Sequence, residues 1–389
     1  MKPIVLKPEQ ERRIQNGHLW IFSNEIKSPL KEYDPGELVE IRNSEQAFIG
    51  IGYVNPHSLI SVRVLTRQIE EIDSTFFERR ILAAHNKRLF DYPSSSSFRL
   101  VFGESDGLPG LVVDKYEDYL VVQSTAFGIE KHLNVIYDVL KKLFNPKAIV
   151  ARLDTQVRQL EHLDIKKEIV YGELPAFVHV DIEGMIYKLD LLNGQKTGFF
   201  LDQKENHIST AKYVKHKKVL DCFCYVGGWS LNAARFGAHS VIGIDKSEQA
   251  IAQCTENAAI NRVQSCTFKQ ADVFDELKDL NEKKEKFDVI ILDPPAFAKS
   301  RTQIKDAIKG YREINRRAAK ALSDGGILYT CSCSHVIDLE TFRNVVFQGL
   351  YGAGRNAIVL ENRMQAKDHP VLLSMRETEY LKCMVLQVF

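Results

Sequence analysis

Two cysteines flank one serine at Cys331-Ser332-Cys333, directly after the apolar run Ile327-Leu328-Tyr329-Thr330 and just before His335. An earlier apolar run, Phe287 to Leu292, ends in Asp293-Pro294-Pro295-Ala296-Phe297. A carboxylate at the C-terminal end of a strand faces the crevice of an open α/β sheet, and the two prolines stiffen the loop beneath it. A thiol and a carboxylate at one sheet edge suit a particular chemistry. A cytosine or uracil ring has no nucleophilic carbon until a thiolate adds at its sixth position. The adduct loads electron density onto the fifth carbon, which can then attack a methyl sulfonium. A thiol of ordinary pKa, ~8.5, needs local help to ionise. Asp293, if protonated or sharing a proton with N3 of the ring, would stabilise the adduct. A base must then remove the C5 proton so that the thiol can leave. The competing reading is plain packing, since buried cysteine usually serves as a small hydrophobe.

A second constellation would hold a cofactor. Val219-Leu220-Asp221 closes an apolar strand and runs into Cys222-Phe223-Cys224-Tyr225-Val226-Gly227-Gly228, after which a helix begins. A glycine pair at a strand-to-helix turn lets a ligand approach the backbone. The turn is neither G-x-G-x-x-G nor a P-loop, which disfavours a dinucleotide or a triphosphate. The next strand ends at Asp245, followed by Lys246. An acidic residue ~20 positions after a Gly-rich turn suits two ribose hydroxyls. The third strand leads to Asp272-Val273, where a carboxylate can meet an adenine amino group. Each aspartate alone reads equally as a helix N-cap. Three at successive strand ends outline an adenosine-bearing ligand without a phosphate cradle, which fits S-adenosylmethionine (SAM).

The elements that must position these groups follow from periodicity. From about residue 186 strands and helices alternate: helix 203–214, strand 218–221, helix 229–236, strand 240–245, helix 248–261, strand 266–270, strand 287–293, helix 304–322 and strand 326–330. Such alternation implies a doubly wound parallel sheet with helices on both faces. Two late strands, near 357–361 and 381–388, would close it, the last antiparallel. Before it, residues 1–72 read as short strands and turns around Asp34-Pro35-Gly36, a small β-barrel. Residues 73–178 read as a central α+β domain with helices at 74–92 and 129–144. The catalytic domain is then 179–389, and the fold class is multidomain α/β.

Composition narrows the field. The chain has 389 residues, 44% apolar and 26% charged, as expected of a globular protein. Lys+Arg 52 against Asp+Glu 51 leaves +1, so no global basic field announces a nucleic acid, and any contact must use local patches. Lys215-His216-Lys217-Lys218, Arg12-Arg13, Arg79-Arg80 and Arg316-Arg317 read as mostly solvated surface. No apolar run reaches the ~18–20 residues of a membrane span, and no signal-peptide core follows Met1. A cytoplasmic protein is expected, with its 7 cysteines reduced and a zinc site disfavoured because the pairs are C-x-C. Cys254, Cys266 and Cys383 fall on apolar faces and read as core.

In order and spacing, Gly194-Gln195-Lys196-Thr197-Gly198-Phe199-Phe200-Leu201-Asp202-Gln203, the Asp221–Gly228 turn, Asp293-Pro-Pro-Ala-Phe297 and Thr330-Cys-Ser-Cys-Ser334 resemble the RlmI-like ribosomal RNA 5-methylcytosine methyltransferases. The resemblance spans essentially the whole chain. His18-Leu19-Trp20-Ile21-Phe22 with Pro35-Gly36 resembles that family's PUA domain, and Glu104 to Leu111 its central domain. It implies a C-terminal Rossmann-like class I methyltransferase domain that uses SAM. Phe223, Tyr225, Gly227 and Gly228 would cradle the methionine part, with Asp202 approaching it. Asp245 would hold the ribose, Asp272 the adenine, and Asp293 would face the base. Many such enzymes carry a second Cys after the proline of the Asp-Pro motif. Pro295 stands there, so the nucleophile must be Cys331 or Cys333, and the Ser-Cys-Ser pattern favours Cys333. Large-subunit ribosomal RNA, free or precursor, is the implied partner, with a homodimer as the family's expected assembly. His18 and Trp20 could contact RNA, though Trp20 fits a barrel core equally well.

Two other readings remain open. One is a methyltransferase acting on a nucleobase nitrogen, guanine N2 or adenine N6, which needs no thiol; Asp-Pro-Pro-Ala instead of Asn-Pro-Pro-Tyr argues against it. The other is a non-catalytic RNA-binding assembly factor, against which the intact set Asp221, Gly227, Gly228 and Asp245 argues.

Overall fold

The computed structural model describes every residue except Lys299, and Arg301 by its backbone alone. The described residues form two compact units. The first comprises Met1–Asp181, Leu189–Phe199 and Lys367–Thr378; the second comprises Ile182–Lys188, Phe200–Ala366 and Glu379–Phe389.

The first unit begins with β1 (Lys2–Val5), α1 (Glu11–Gln15), β2 (Trp20–Ile21), β3 (Glu37–Arg42), β4 (Phe48–Val54) and β5 (Val62–Thr66). These strands form one sheet in the order β1-β3-β4-β5-β2, with β1 parallel to β3 and the other pairs antiparallel. Its core gathers Ile4, Ile21, Val39, Ile41, Val54, Val62 and Val64. Next come α2 (Ser74–Asp91), β6 (Ser97–Phe102), β7 (Leu111–Tyr116), β8 (Tyr119–Ser124), α3 (Phe127–Phe144), β9 (Ala148–Leu153) and β10 (Lys166–Gly172). Asp73 starts α2 by accepting the Phe76 N–H at 3.0 Å. The second sheet runs β10-β9-β8-β7-β6, with α3 crossing between the parallel pair β8 and β9.

The barrel and central segments share this unit, and polar groups tie them. Glu161, buried to 2% exposure, accepts from Arg63 at 2.9 Å, Asn55 Nδ2 at 2.9 Å and Ser58 Oγ at 2.6 Å. Removing one partner of such a buried ion pair costs about 3–5 kcal/mol, because the other charge is stranded. Tyr53 adds a hydroxyl bond to the Pro109 carbonyl at 2.6 Å. The late segment is tied the same way: Asp368 accepts the Arg99 backbone N–H at 3.0 Å, and its carbonyl accepts Arg88 Nη2 at 2.8 Å.

Strands β11 (Val178–Ile182) and β12 (Met185–Leu189) lie where the chain passes from the first unit into the second. The second unit then contains α4 (Lys204–Ser209), β13 (Lys218–Cys222), α5 (Gly228–Arg235), β14 (Ser240–Asp245), α6 (Glu248–Ile260), β15 (Cys266–Gln270), α7 (Val273–Glu282), β16 (Phe287–Leu292), α8 (Ile304–Ala321), β17 (Leu322–Ser332), α9 (Leu339–Gly352), β18 (Ala357–Arg363) and β19 (Lys382–Val388). The sheet order is β15-β14-β13-β16-β17-β19-β18. The first five strands are parallel, and β19 is antiparallel to both its neighbours. The doubly wound sheet is therefore present.

Sequence periodicity misses seven elements: β1, β2, β10, β11, β12, α7 and α9. The helix expected over 203–214 is also shorter, because the chain breaks into 3-10 turns on either side of α4. Strand alternation sorts side chains to the two faces of the sheet. Leu220, Cys222, Ile290, Leu292 and Leu328 pack against α7, α8 and α9. Val219, Val289, Ile291, Tyr329 and Cys331 pack on the other face, with Trp229 and Ala233 of α5. Asp221, Asp245 and Asp293 lie at the C-terminal ends of β13, β14 and β16.

Candidate active site

The turn after β13 is held in an unusual backbone. Phe223, Tyr225 and Gly227 have φ of 69°, 48° and 91°. Left-handed backbone in bulky residues persists only when the surroundings impose it. Here the end of β14 does so. The N–H groups of Phe223 and Cys224 both donate to the Ile244 carbonyl, at 2.8 and 2.9 Å, and the Tyr225 N–H donates to Oδ2 of Asp245 at 3.0 Å. Gly228 has a second reason to be glycine. A Cβ there would lie 2.5 Å from Cε1 of His207, so α4 packs directly on the start of α5. His207 is buried edge-on against Trp229, and burial pushes its pKa down to about 3, leaving it neutral.

Beneath the turn, Asp221 is fully buried. Ser230 Oγ donates to its Oδ2 at 2.6 Å, while its Oδ1 has no hydrogen-bond partner. Burial, opposed by the Ser230 hydroxyl, pushes its pKa up to about 7. Asp245 also accepts the Ser247 N–H at 2.9 Å through Oδ1. Lys246 projects into solvent with its ammonium 3.9 Å from Asp272. Asp272 caps α7 through the Phe274 N–H at 2.9 Å, and the Val273 side chain is buried in the core. Asp202 is buried, and the Tyr380 hydroxyl donates to its Oδ2 at 2.6 Å.

At the end of β16 the alternation that turns Val289 and Ile291 toward α5 brings Asp293 to Trp229. The indole N–H donates to Oδ2 at 2.9 Å, and the Gln203 side-chain amide donates to Oδ1 at 2.9 Å. Behind Gln203 a relay fixes its orientation. Asn206 Nδ2 donates to Gln203 Oε1 at 2.7 Å, and Arg363 Nε donates to Asn206 Oδ1 at 2.8 Å.

The two candidate thiols differ in environment. Cys331 lies within β17, fully buried opposite Cys383 on β19. Burial and the Cys383 thiol push its pKa well up, so it stays protonated. Cys333 lies just past the strand end and is half-buried. Near it, Lys382 donates to the Ser334 carbonyl at 2.6 Å and the Tyr380 carbonyl at 2.7 Å, with no carboxylate within ion-pair distance among the described residues. Burial lowers its pKa to about 8, against the opposing field of Cys333. Of the remaining cysteines, Cys254 and Cys383 are buried, whereas Cys266 is only partly covered. No cluster of potential metal ligands occurs among the described residues.

Gln203, Trp229, Asn206, Tyr380, Lys382 and Arg363 carry no role in the sequence reading. Gln203 stands inside a quoted motif and Trp229 directly follows the glycine pair, the only local signals available. Lys382 reaches the thiol loop through strand pairing with Ser332, which local spacing does not reveal.

A PUA-like domain family matches residues 4–67, and a methyltransferase domain family matches residues 214–372. A ribosomal RNA large subunit methyltransferase I from Tolumonas auensis is 37% identical, the match covering 99% of this chain and 98% of that protein. One of the same name from Aeromonas hydrophila is 38% identical over 99% and 98%. The chain belongs to the ribosomal RNA large subunit methyltransferase I family. In fold, this family member is similar to SMU.776, a candidate methyltransferase solved with S-adenosylhomocysteine (SAH), at a TM-score of 0.87 and 19% identity over all of both chains. A candidate SAM-dependent methyltransferase from Streptococcus mutans superposes at 0.85, also at 19%. No helix among the described residues of this family member is long and apolar enough to cross a membrane.

Proposed function

We propose that the chain methylates carbon 5 of a cytosine in large-subunit ribosomal RNA, with Cys333 as covalent nucleophile and SAM as methyl donor. The observation that carries the thiol assignment is the contrast at β17: a sealed, protonated Cys331 against a half-buried Cys333 beside the Lys382 ammonium.

The donor set fits SAM. Phe223, Tyr225 and Gly227 hold the turn in left-handed backbone, and Asp221 presents a carboxylate oxygen without a hydrogen-bond partner beneath it. Asp202 would take the methionine end. Asp245 and Lys246 would take the ribose, and Asp272 with the Val273 backbone the adenine edge. When bound, SAM supplies a methyl group activated on sulfonium.

The protein's own groups do the rest. The Cys333 thiolate adds to C6, forming a C–S bond and moving the ring's electron pair toward C5 and N3. Asp293, held by Gln203 and Trp229, orients the ring edge. After transfer the C5 proton leaves to a base, the electron pair returns, the C–S bond breaks, and the thiolate is regenerated. In this reading residues 1–72 and 73–178 present RNA, free or precursor, to the domain 179–389 in the cytoplasm, and a homodimer is the assembly to look for.

The test is mass spectrometry of nucleosides from ribosomal RNA of cells with and without the gene. Loss of one 5-methylcytosine supports the reading. Unchanged 5-methylcytosine with a missing N-methylated base discards the thiolate chemistry and leaves a nitrogen methyltransferase.

A further inference from the structure

Arg79-Arg80 reads from sequence as solvated surface, yet Arg80 is half-buried and its Nε has no hydrogen-bond partner. It lines a cavity of about 340 Å3 in the first unit, between β5 and α2. Arg67 and Lys87 line the same cavity, as do Glu104, Ser105 and Asp106. The volume is at the lower end of small-ligand sites.

The charges do not balance there. Asp106 is already answered by Arg88, which forks onto both its oxygens at 2.7 Å. Glu104 accepts the Trp20 indole N–H at 2.9 Å. Arg80 donates only to the Leu65 carbonyl, at 3.3 Å, and Arg67 only to the carbonyls of Ile14 and His18. Lys87 is half exposed, 3.4 Å from the already paired Asp106. Burial and the like charges of Arg79 and Arg67 press the pKa of Arg80 down, with Glu70 opposing. Ser105 adds a buried hydroxyl without a partner. Converging cations, an idle guanidinium N–H and an idle hydroxyl are what an anion with several acceptor oxygens completes.

We propose that this cavity receives a phosphodiester of the RNA substrate, with Arg80, Lys87 and Arg67 supplying charge and Ser105 a hydroxyl donor. The proposal rests on the reading of the chain as an RNA methyltransferase. It places an RNA contact where the barrel meets the central segment within the first unit.

The test measures binding of a ribosomal RNA fragment to the full chain across a salt series, for the wild type, Arg80→Gln and Lys87→Gln. Each phosphate contact contributes a slope of ~0.7–0.9 in log K against log salt. Each variant is expected to bind roughly 3- to 10-fold more weakly and to lose about one contact's worth of slope, with SAM affinity unchanged. Lys87→Gln alters an exposed side chain and so answers even if Arg80→Gln is unstable. Inorganic phosphate titrated alone separates the sources. Phosphate binding that both variants abolish, with RNA slopes unmoved, assigns the cavity to a free anion and overturns the proposal. Wild-type slopes in both variants, with methylation intact, overturn it while the methyltransferase reading stands. A wild type that neither binds nor methylates ribosomal RNA takes both down.

Discussion

The side-chain amide of Gln203 donates to Oδ1 of Asp293 at 2.9 Å, and Asn206 holds that amide in the donating orientation. An amide presents donors on one side and an acceptor on the other, so pinning its oxygen decides what its nitrogen faces. Asn206→Leu fills similar volume but frees Gln203 Oε1 to rotate. The expected outcome is a fall in kcat of about tenfold, the worth of one hydrogen bond to a charged group, with KM for SAM little changed. Steady-state kinetics beside a melting curve separates this from simple destabilisation. An unaltered kcat shows that Gln203 is oriented without the relay.

Lys382 sets the second expectation. Removing a cation beside a thiol disfavours the thiolate, so the Cys333 pKa rises. In Lys382→Met the pH midpoint for alkylation of Cys333 by iodoacetamide, followed by peptide mass spectrometry, moves up by about one unit. Activity near neutral pH falls with it. A midpoint that stays put would mean that Lys382 serves only to tie the Ser334 and Tyr380 carbonyls.

Asp221 gives a stability signature. Its pKa rises from 3.8 to about 7 on folding, mainly through burial. Between those values the folded chain binds the extra proton. Its contribution is therefore full below about pH 4 and is lost as pH rises through about 7, up to roughly 4 kcal/mol at 1.36 kcal/mol per unit. Asp221→Asn stays neutral throughout. Urea unfolding at pH 5 and pH 8 is expected to show a smaller drop for the variant than for the wild type. Equal drops place the titration elsewhere.

Gly228→Ala tests the turn. The new methyl would press on the His207 ring, within 2.5 Å of Cε1, in a fully packed region. Overpacking of this kind costs about 1–3 kcal/mol. The expected outcome is a lower melting temperature together with weaker SAM binding by calorimetry, since the same shift displaces the turn. Normal binding with a lowered melting temperature would show that only packing requires the glycine.

The parallel strands were legible because a strand covered on both faces reads as a continuous apolar run, as Phe287–Leu292 does. The aspartates at their ends were legible because an abrupt change from apolar to acidic marks the sheet's edge. β10 was not legible. Its side chains are nearly all exposed, so no alternation betrays it, and only backbone pairing with β9 makes it a strand. α7 hid because Val273, Leu277 and Leu280 are its only fully buried residues in a strongly charged stretch. At the site, the sequence named two thiols and could rank them only by resemblance. Tertiary structure separated their surroundings: antiparallel register sets Cys331 against Cys383 and Ser332 against Lys382, sealing one thiol and bringing an ammonium to the loop of the other. Residue types and local periodicity decide which groups exist and which face of an element they occupy. Register between strands about fifty residues apart decides what each group touches, and therefore its protonation.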